Sequence, residues 1–323
     1  MQQGMAVWYN LKYFNLIILD IVAIKPFLYL QGNLLEGPLY DPATKLLRFI
    51  DIYEDKLYLV NGTEVKIVST ESTLGVTANI KGSKEYLVGA RHGVATMTDE
   101  GKITYLKKYW DVYIDGDKEY RMRSNDGAVD SHGRFWVGTM NDIHRVDNGR
   151  YNPEGILFRV DADLSIHRIL DGATTPNGVG WNSADNIMYW TDSATLKVFA
   201  FNFDAATGTV SNKRIFWDSQ QAGYAEYVTP DGLVVDREDC VWVALWRGYK
   251  VVRINPHGQP VGEIVLPTSY VTCPVFQGTE MVITTARDPE VKDEGIARGG
   301  DVYKVDVGVE GLPKHEFVLN TDR

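Results

Sequence analysis

The polar side chains that stand directly before a glycine in this chain include Glu36, Asp126, Asn177 and Asp231. Three are carboxylates, and the fourth is an amide whose oxygen is a neutral ligand. If folding brought them to one point, the carboxylates would repel one another unless protons or a cation offset their charge. An all-oxygen set without a Cys or His cluster suits one hard or borderline divalent ion: Ca²⁺, Mg²⁺, Mn²⁺ or Zn²⁺. Taken singly, Asp-Gly and Asn-Gly mark turns, and Glu36 between apolar neighbours would also be satisfied by a buried arginine. The deciding question is whether the four occupy matching positions in a repeat.

They do. Asn177-Gly178-Val179-Gly180-Trp181 leads through a turn to Ile187-Met188-Tyr189-Trp190. Asp231-Gly232 leads in the same way to Val241-Trp242-Val243, Asp126-Gly127 to Phe135-Trp136-Val137, and Glu36-Gly37 to Leu47-Arg48-Phe49-Ile50. Two weaker copies begin at Asn79 and Cys273 and are followed by apolar runs at 86–88 and 281–284. The period is about 42 to 54 residues, with several strands per period and no helical pattern, which is the signature of a β-propeller. The sequence therefore predicts an all-β, six-bladed β-propeller over residues 19–323, with one central metal site and an N-terminal extension over 1–18. Residues 19–30 read as a strand that closes the ring against the last blade.

In such a ring the matched residues converge on one channel mouth. Arg123 and Asn125, just before Asp126, share side-chain parity in an extended segment and can point at that mouth together. A fixed guanidinium fork beside an amide suits a polyhydroxylated or carboxylate-bearing small molecule. The polar loop 141–153 is longer than a hairpin needs and offers Asp142, His144 and Arg145 as further contacts. The tetrapeptides Thr175-Pro176-Asn177-Gly178 and Thr229-Pro230-Asp231-Gly232 repeat each other, their prolines fixing the backbone that presents the polar residue.

Other chemistries find no support. There is no Gly-x-Ser-x-Gly elbow, His-Glu-x-x-His pair or phosphate loop. The net charge of −10 and the lack of a basic run argue against nucleic acid. The apolar stretch 15–24 is interrupted by Asp20 and followed by Lys25, so it is too short and too charged for a membrane helix. It also lacks the features of a cleaved signal. Cys240 and Cys273 are too few for a disulfide framework, which points to a cytoplasmic setting. A monomer is the default expectation.

Leu35-Glu36-Gly37-Pro38, Arg123-Ser124-Asn125-Asp126-Gly127, Gly138-Thr139-Met140, Pro176-Asn177-Gly178, and Pro230-Asp231-Gly232 with Val241-Trp242-Val243-Ala244 resemble, in order and spacing, the senescence-marker-protein (SMP-30), gluconolactonase and luciferin-regenerating-enzyme family. The resemblance covers about residue 19 onward. It implies a six-bladed propeller holding one divalent cation through Glu36, Asn177 and Asp231. It also implies a sugar-lactone substrate held by Arg123 and Asn125, with Asp231 as general base and Asp126 as a site neighbour. The chain departs from the family pattern three residues after Gly-Thr-Met, where a substrate-binding glutamate is replaced by Ile143, with Asp142 beside it. The activity expected is metal-dependent hydrolysis of an aldonolactone. The alternatives are a phosphotriesterase-like or other esterase on the same site, or a non-enzymatic calcium-binding propeller.

Overall fold

The computed structural model describes residues 24–114, 116–146, 149–291 and 299–320. The extension over 1–18 lies outside them. Strand β1 (Pro26–Leu28) is followed by β2 (Leu35–Asp41), β3 (Leu46–Asp51), β4 (Lys56–Asn61) and β5 (Glu64–Ser69), which form the first blade. The second is β6 (Leu74–Asn79), β7 (Tyr86–Ala90), β8 (Gly93–Met97) and β9 (Ile103–Lys108). Two short helices, α1 (Tyr109–Val112) and α2 (Lys118–Arg121), lead into the third: β10 (Met122–Val129), β11 (Phe135–Asn141), β12 (Gly155–Val160) and β13 (Ile166–Ala173). Then come β14 (Pro176–Trp181), β15 (Ile187–Asp192), β16 (Lys197–Asp204) and β17 (Thr209–Asp218). The fifth blade is β18 (Thr229–Val235), β19 (Val241–Trp246), β20 (Lys250–Ile254) and β21 (Pro260–Val265).

The sixth blade has only three strands of its own: β22 (Val271–Gln277), β23 (Glu280–Thr285) and β24 (Val302–Asp306). Its fourth is β1, which pairs antiparallel with β24. The ring is thus closed by the N-terminal strand, as the sequence predicts, although the described strand is shorter than 19–30. Closure covers the edge of β24 and leaves a strand of only three residues as the blade's outer edge.

Each blade is covered on both faces by its neighbours, so the inner strands read as near-continuous apolar runs, as in Val241 to Leu245. Six apolar clusters fill the spaces between blades. Ile50, Leu57, Val88 and Met97 lie between the first and second. Trp136, Met188 and Trp190 lie between the third and fourth, and Trp242, Met281 and Ile283 between the fifth and sixth.

The innermost strands β2, β6, β10, β14, β18 and β22 surround the central channel. Every one carries a register shift near its start: at 36–39, 74–76, 124–127, 176–179, 230–233 and 271–273. A bulge of this kind re-aims a side chain out of the sheet. Glu36, Asp126, Asn177 and Asp231 all lie within these bulges. The glycine after each is required by space or by backbone. A Cβ at Gly178 would overlap the amide nitrogen of Leu233, one at Gly232 would overlap Cys273 Sγ, and Gly37 has φ of +55°.

The two weak repeats differ from the sequence reading. Asn79 is the last residue of β6, paired with Tyr86, and its Oδ1 accepts from Arg48. The second blade's bulge is at Gly75 instead. In the sixth blade the matching residue is Thr272, whose hydroxyl donates to the Leu35 carbonyl.

The channel's far end is crossed by the C-terminal segment. The Leu312 amide donates to the Val235 carbonyl of the fifth blade. Five residues on, the Phe317 amide donates to the Asn79 carbonyl of the second. Lys314 and His315, between these anchors, line the channel.

Candidate active site

A cavity of about 390 Å³ opens at the mouth where the innermost strands begin. Glu36, Arg123, Asn125, Asn177 and Asp231 all line it, so residues from four blades meet there as the repeat predicts. All five are buried.

Asn177 is held by one end. Its Nδ2 donates to Ser193 Oγ at 3.0 Å, while its Oδ1 is buried and has no hydrogen-bond partner. Leaving a buried amide oxygen unpaired costs about 1–3 kcal/mol. Glu36 receives only the Gly37 amide, at 3.1 Å. Burial, and then the charge of Asp126, push the Glu36 carboxyl up to about 8. Burial, then Glu36 and Asp126, push Asp231 well above the ordinary carboxylate range. Two buried carboxylates and an orphaned amide oxygen around one cavity fit a divalent cation, which would supply the missing partner and remove the repulsion. Among the described residues no three His, Cys, Asp or Glu side chains gather closely enough to form a site by themselves, so a cation here would draw on the amide as well.

Arg123 and Asn125 are fixed in place. Arg123 Nη1 donates to Asn125 Oδ1 at 2.8 Å and to the Ser124 carbonyl at 2.9 Å. Asn125 Nδ2 donates to the Pro176 carbonyl at 2.9 Å, tying the third blade to the fourth. Both side chains thus reach the cavity with little freedom left to lose on binding.

Asp126 and Asp142 do not line this cavity. Asp126 faces a smaller chamber of about 40 Å³ deeper in the channel, with Cys273 and Lys314. Burial raises its carboxyl to about 6, opposed by the Gly127 amide and by Lys314. Asp142 is buried against Arg91, Oδ2 to Nη1 at 2.5 Å, and its other oxygen accepts the His144 amide. Its charge is therefore spent on bracing the loop, and Arg91-His92 forms the turn between β7 and β8.

Apart from Thr175 and Thr229, which open the two repeated tetrapeptides, the rest of the lining comes from positions that the repeat does not mark. Tyr53, Tyr151, Tyr227 and Trp246 form an aromatic wall, with Thr175, Ser193 and Thr229 among them and Arg247 at the rim. Tyr53 and Tyr227 are exposed, and Trp246 stacks on Tyr270 with centroids 4.1 Å apart. The aromatic side chains and Arg247 come from loops and strand ends of different blades, without shared spacing. The one sequence signal is the aromatic and basic content of Leu245-Trp246-Arg247-Gly248.

Comparison with known proteins bears on this arrangement. The model of the SMP-30/gluconolactonase/LRE-like region matches residues 34–287. The chain belongs to that family. An uncharacterized protein of Sulfolobus acidocaldarius is 35% identical over 292 residues, 87% of this chain and 95% of that one. Regucalcin of Xenopus laevis is 31% identical, covering 87% and 94%. The Bacillus subtilis protein named for a sugar lactone lactonase, YvrE, is 30% identical, covering 80% and 85%. Among solved structures, a luciferin-regenerating enzyme superposes with a TM-score of 0.78 at 24% identity, covering 90% of this chain and 96% of that one. A structure described as a calcium-binding regucalcin from Agrobacterium tumefaciens gives 0.77 at 21%, covering 90% and 95%. These likenesses establish the propeller fold. No helix among the described residues is long and apolar enough to cross a membrane.

Proposed function

We propose that the protein hydrolyses a sugar lactone to the open-chain acid, with one divalent cation held by Glu36, Asn177 and Asp231. The observation that carries the reading is the unpartnered Asn177 Oδ1 between two buried carboxylates. Membership in a family that includes named lactonases supports the substrate class. When bound, the cation supplies Lewis-acid polarisation of the lactone carbonyl. Asp231 orients the attacking water and takes its proton, which is returned to the ring oxygen as the C–O bond breaks. With the cation offsetting its burial and its carboxylate neighbours, Asp231 is held ionised, the form in which it can accept that proton. Arg123 and Asn125 hold the sugar hydroxyls, and the aromatic wall packs on the C–H face of the ring.

An esterase for aromatic or phosphotriester substrates draws support from the four aromatic rings. Three of those rings carry hydroxyls, however, and they stand beside Thr175, Ser193 and Thr229, so the lining favours a hydroxylated ligand. Acid release from glucono-, xylono-, arabinono- and rhamnonolactones, compared with aryl esters and phosphotriesters, separates the two readings. Lactone turnover above the spontaneous rate, lost in Asp231→Asn, supports the hydrolase. Tight cation binding with no turnover of any substrate would leave a calcium-binding propeller.

A further inference from the structure

Four charged side chains line the 390 Å³ cavity: Glu36, Asp231, Arg123 and Arg247. The two carboxylates are the proposed cation ligands, and a divalent ion balances them. Neither arginine has a carboxylate within ion-pair distance among the described residues. Arg123 is buried, yet its bonds go to the Ser124 carbonyl and the Asn125 amide oxygen. The nearby carboxylate of Asp142 is taken by Arg91. Among the described residues Arg247 bonds the Tyr270 hydroxyl, at 3.3 Å, and its guanidinium lies 5.7 Å from that ring. Asp288 and Glu290 face it at longer range, and Asp288 is bonded by Ser269.

The backbone that presents Arg247 is also unusual. Arg247 and Tyr249 both have left-handed φ, +63° and +60°, on either side of Gly248. A non-glycine residue held there is strained and persists where the surrounding structure imposes it. Here Trp246 on Tyr270 clamps the turn. The turn carries Arg247, which is exposed to solvent, at the rim of a cavity that already contains a second guanidinium.

We infer that the cavity takes a lactone bearing an anionic group, a phosphate or carboxylate remote from the ring carbonyl, with Arg247 as the residue that selects it. The inference rests on the lactonase reading and adds the charge of the substrate. With the cation balancing Glu36 and Asp231, the two guanidiniums are the charged lining groups left without an ion-pair partner among the described residues. A guanidinium fork matches phosphate or carboxylate in two parallel hydrogen bonds.

The test compares cation-loaded protein on glucono-1,5-lactone, its 6-phosphate, and the carboxylate-bearing glucaro-1,4-lactone. Calorimetric binding of gluconate, 6-phosphogluconate and glucarate is measured alongside. One charge-assisted contact predicts kcat/KM and affinity at least about tenfold higher for an anionic member than for the neutral one. That ratio should fall towards one in Arg247→Gln and be partly restored in Arg247→Lys. A preference for the phosphate or the carboxylate arm names the group. Equal or better use of the neutral lactone overturns the inference while leaving the lactonase intact. If no lactone is hydrolysed, the hydrolase reading fails, and the calorimetric ratio alone decides whether the cavity selects anions.

Discussion

At the scale of single residues, the site is a set of buried charges arranged to be uncomfortable without a cation. Asp231→Asn removes the proposed base and one repelling carboxylate together. Turnover should fall about 10²- to 10⁴-fold, while the melting temperature of chelator-treated protein stays level or rises. A collapse of folding would instead assign Asp231 a structural role. The pH dependence has a definite sign. The Glu36 carboxyl titrates near 8 when folded against 4.5 ordinarily, so between those values the native chain keeps a proton that the unfolded chain releases. Metal-free stability therefore decreases as pH rises from about 5 to 8, the reverse of the usual carboxylate case. Cation affinity increases over the same range, because the ligands must be deprotonated. Thermal melts with and without chelator across that range check both, and a metal-free melting point that climbs with pH would contradict the charge assignment.

At the scale of elements, the third and fifth blades are braced by the same feature, out of sight of the site. Asp130 in the third blade accepts from Arg134 Nε at 2.7 Å and Trp136 Nε1 at 2.8 Å. Asp236 in the fifth accepts from Trp242 Nε1 at 2.8 Å and Arg253 Nε at 2.9 Å. The shared Asp-x5-Trp spacing is legible in the sequence once the blades are aligned, although the Asp-Gly pairs draw attention first. Asp236→Ala leaves Trp242 Nε1 buried without a partner and should cost about 2–3 kcal/mol in denaturant unfolding, with the activity of the folded fraction retained. The same alignment shows why Asn79 misleads. Its polar side chain suggested the start of a repeat copy, but the bulge of that blade is at Gly75, after the apolar Leu74, where no polar residue signals it. By contrast, the Thr-Pro-(Asn/Asp)-Gly repeats identified the positions of Asn177 and Asp231 because proline, bulge and close strand approach all constrain the same four residues.

At the scale of the whole molecule, the ring is fastened twice: by β1 against β24, and by the C-terminal segment across the far end of the channel. The first was readable as an apolar run left over before the repeats. The second was not, because Leu312 to Phe317 has no periodicity and its anchors lie on opposite blades. Phe317 is fully buried between the second and third blades. Phe317→Ala should lower stability by about 3–5 kcal/mol, read by denaturant unfolding, and a loss below 1 kcal/mol would show that the strap is dispensable. The aromatic wall was hidden for a similar reason: Tyr53, Tyr151 and Tyr227 meet only when distant loops gather around one mouth. The central claim, that a single cation held by Glu36, Asn177 and Asp231 drives lactone hydrolysis, is tested most directly by titrating chelator-stripped protein with a divalent ion while following acid release from the best lactone. Turnover should rise in proportion to added cation and saturate at one equivalent per chain, with Asn177→Ala shifting saturation to higher concentration. Full turnover by the stripped protein, or saturation that ignores Asn177, would contradict the account.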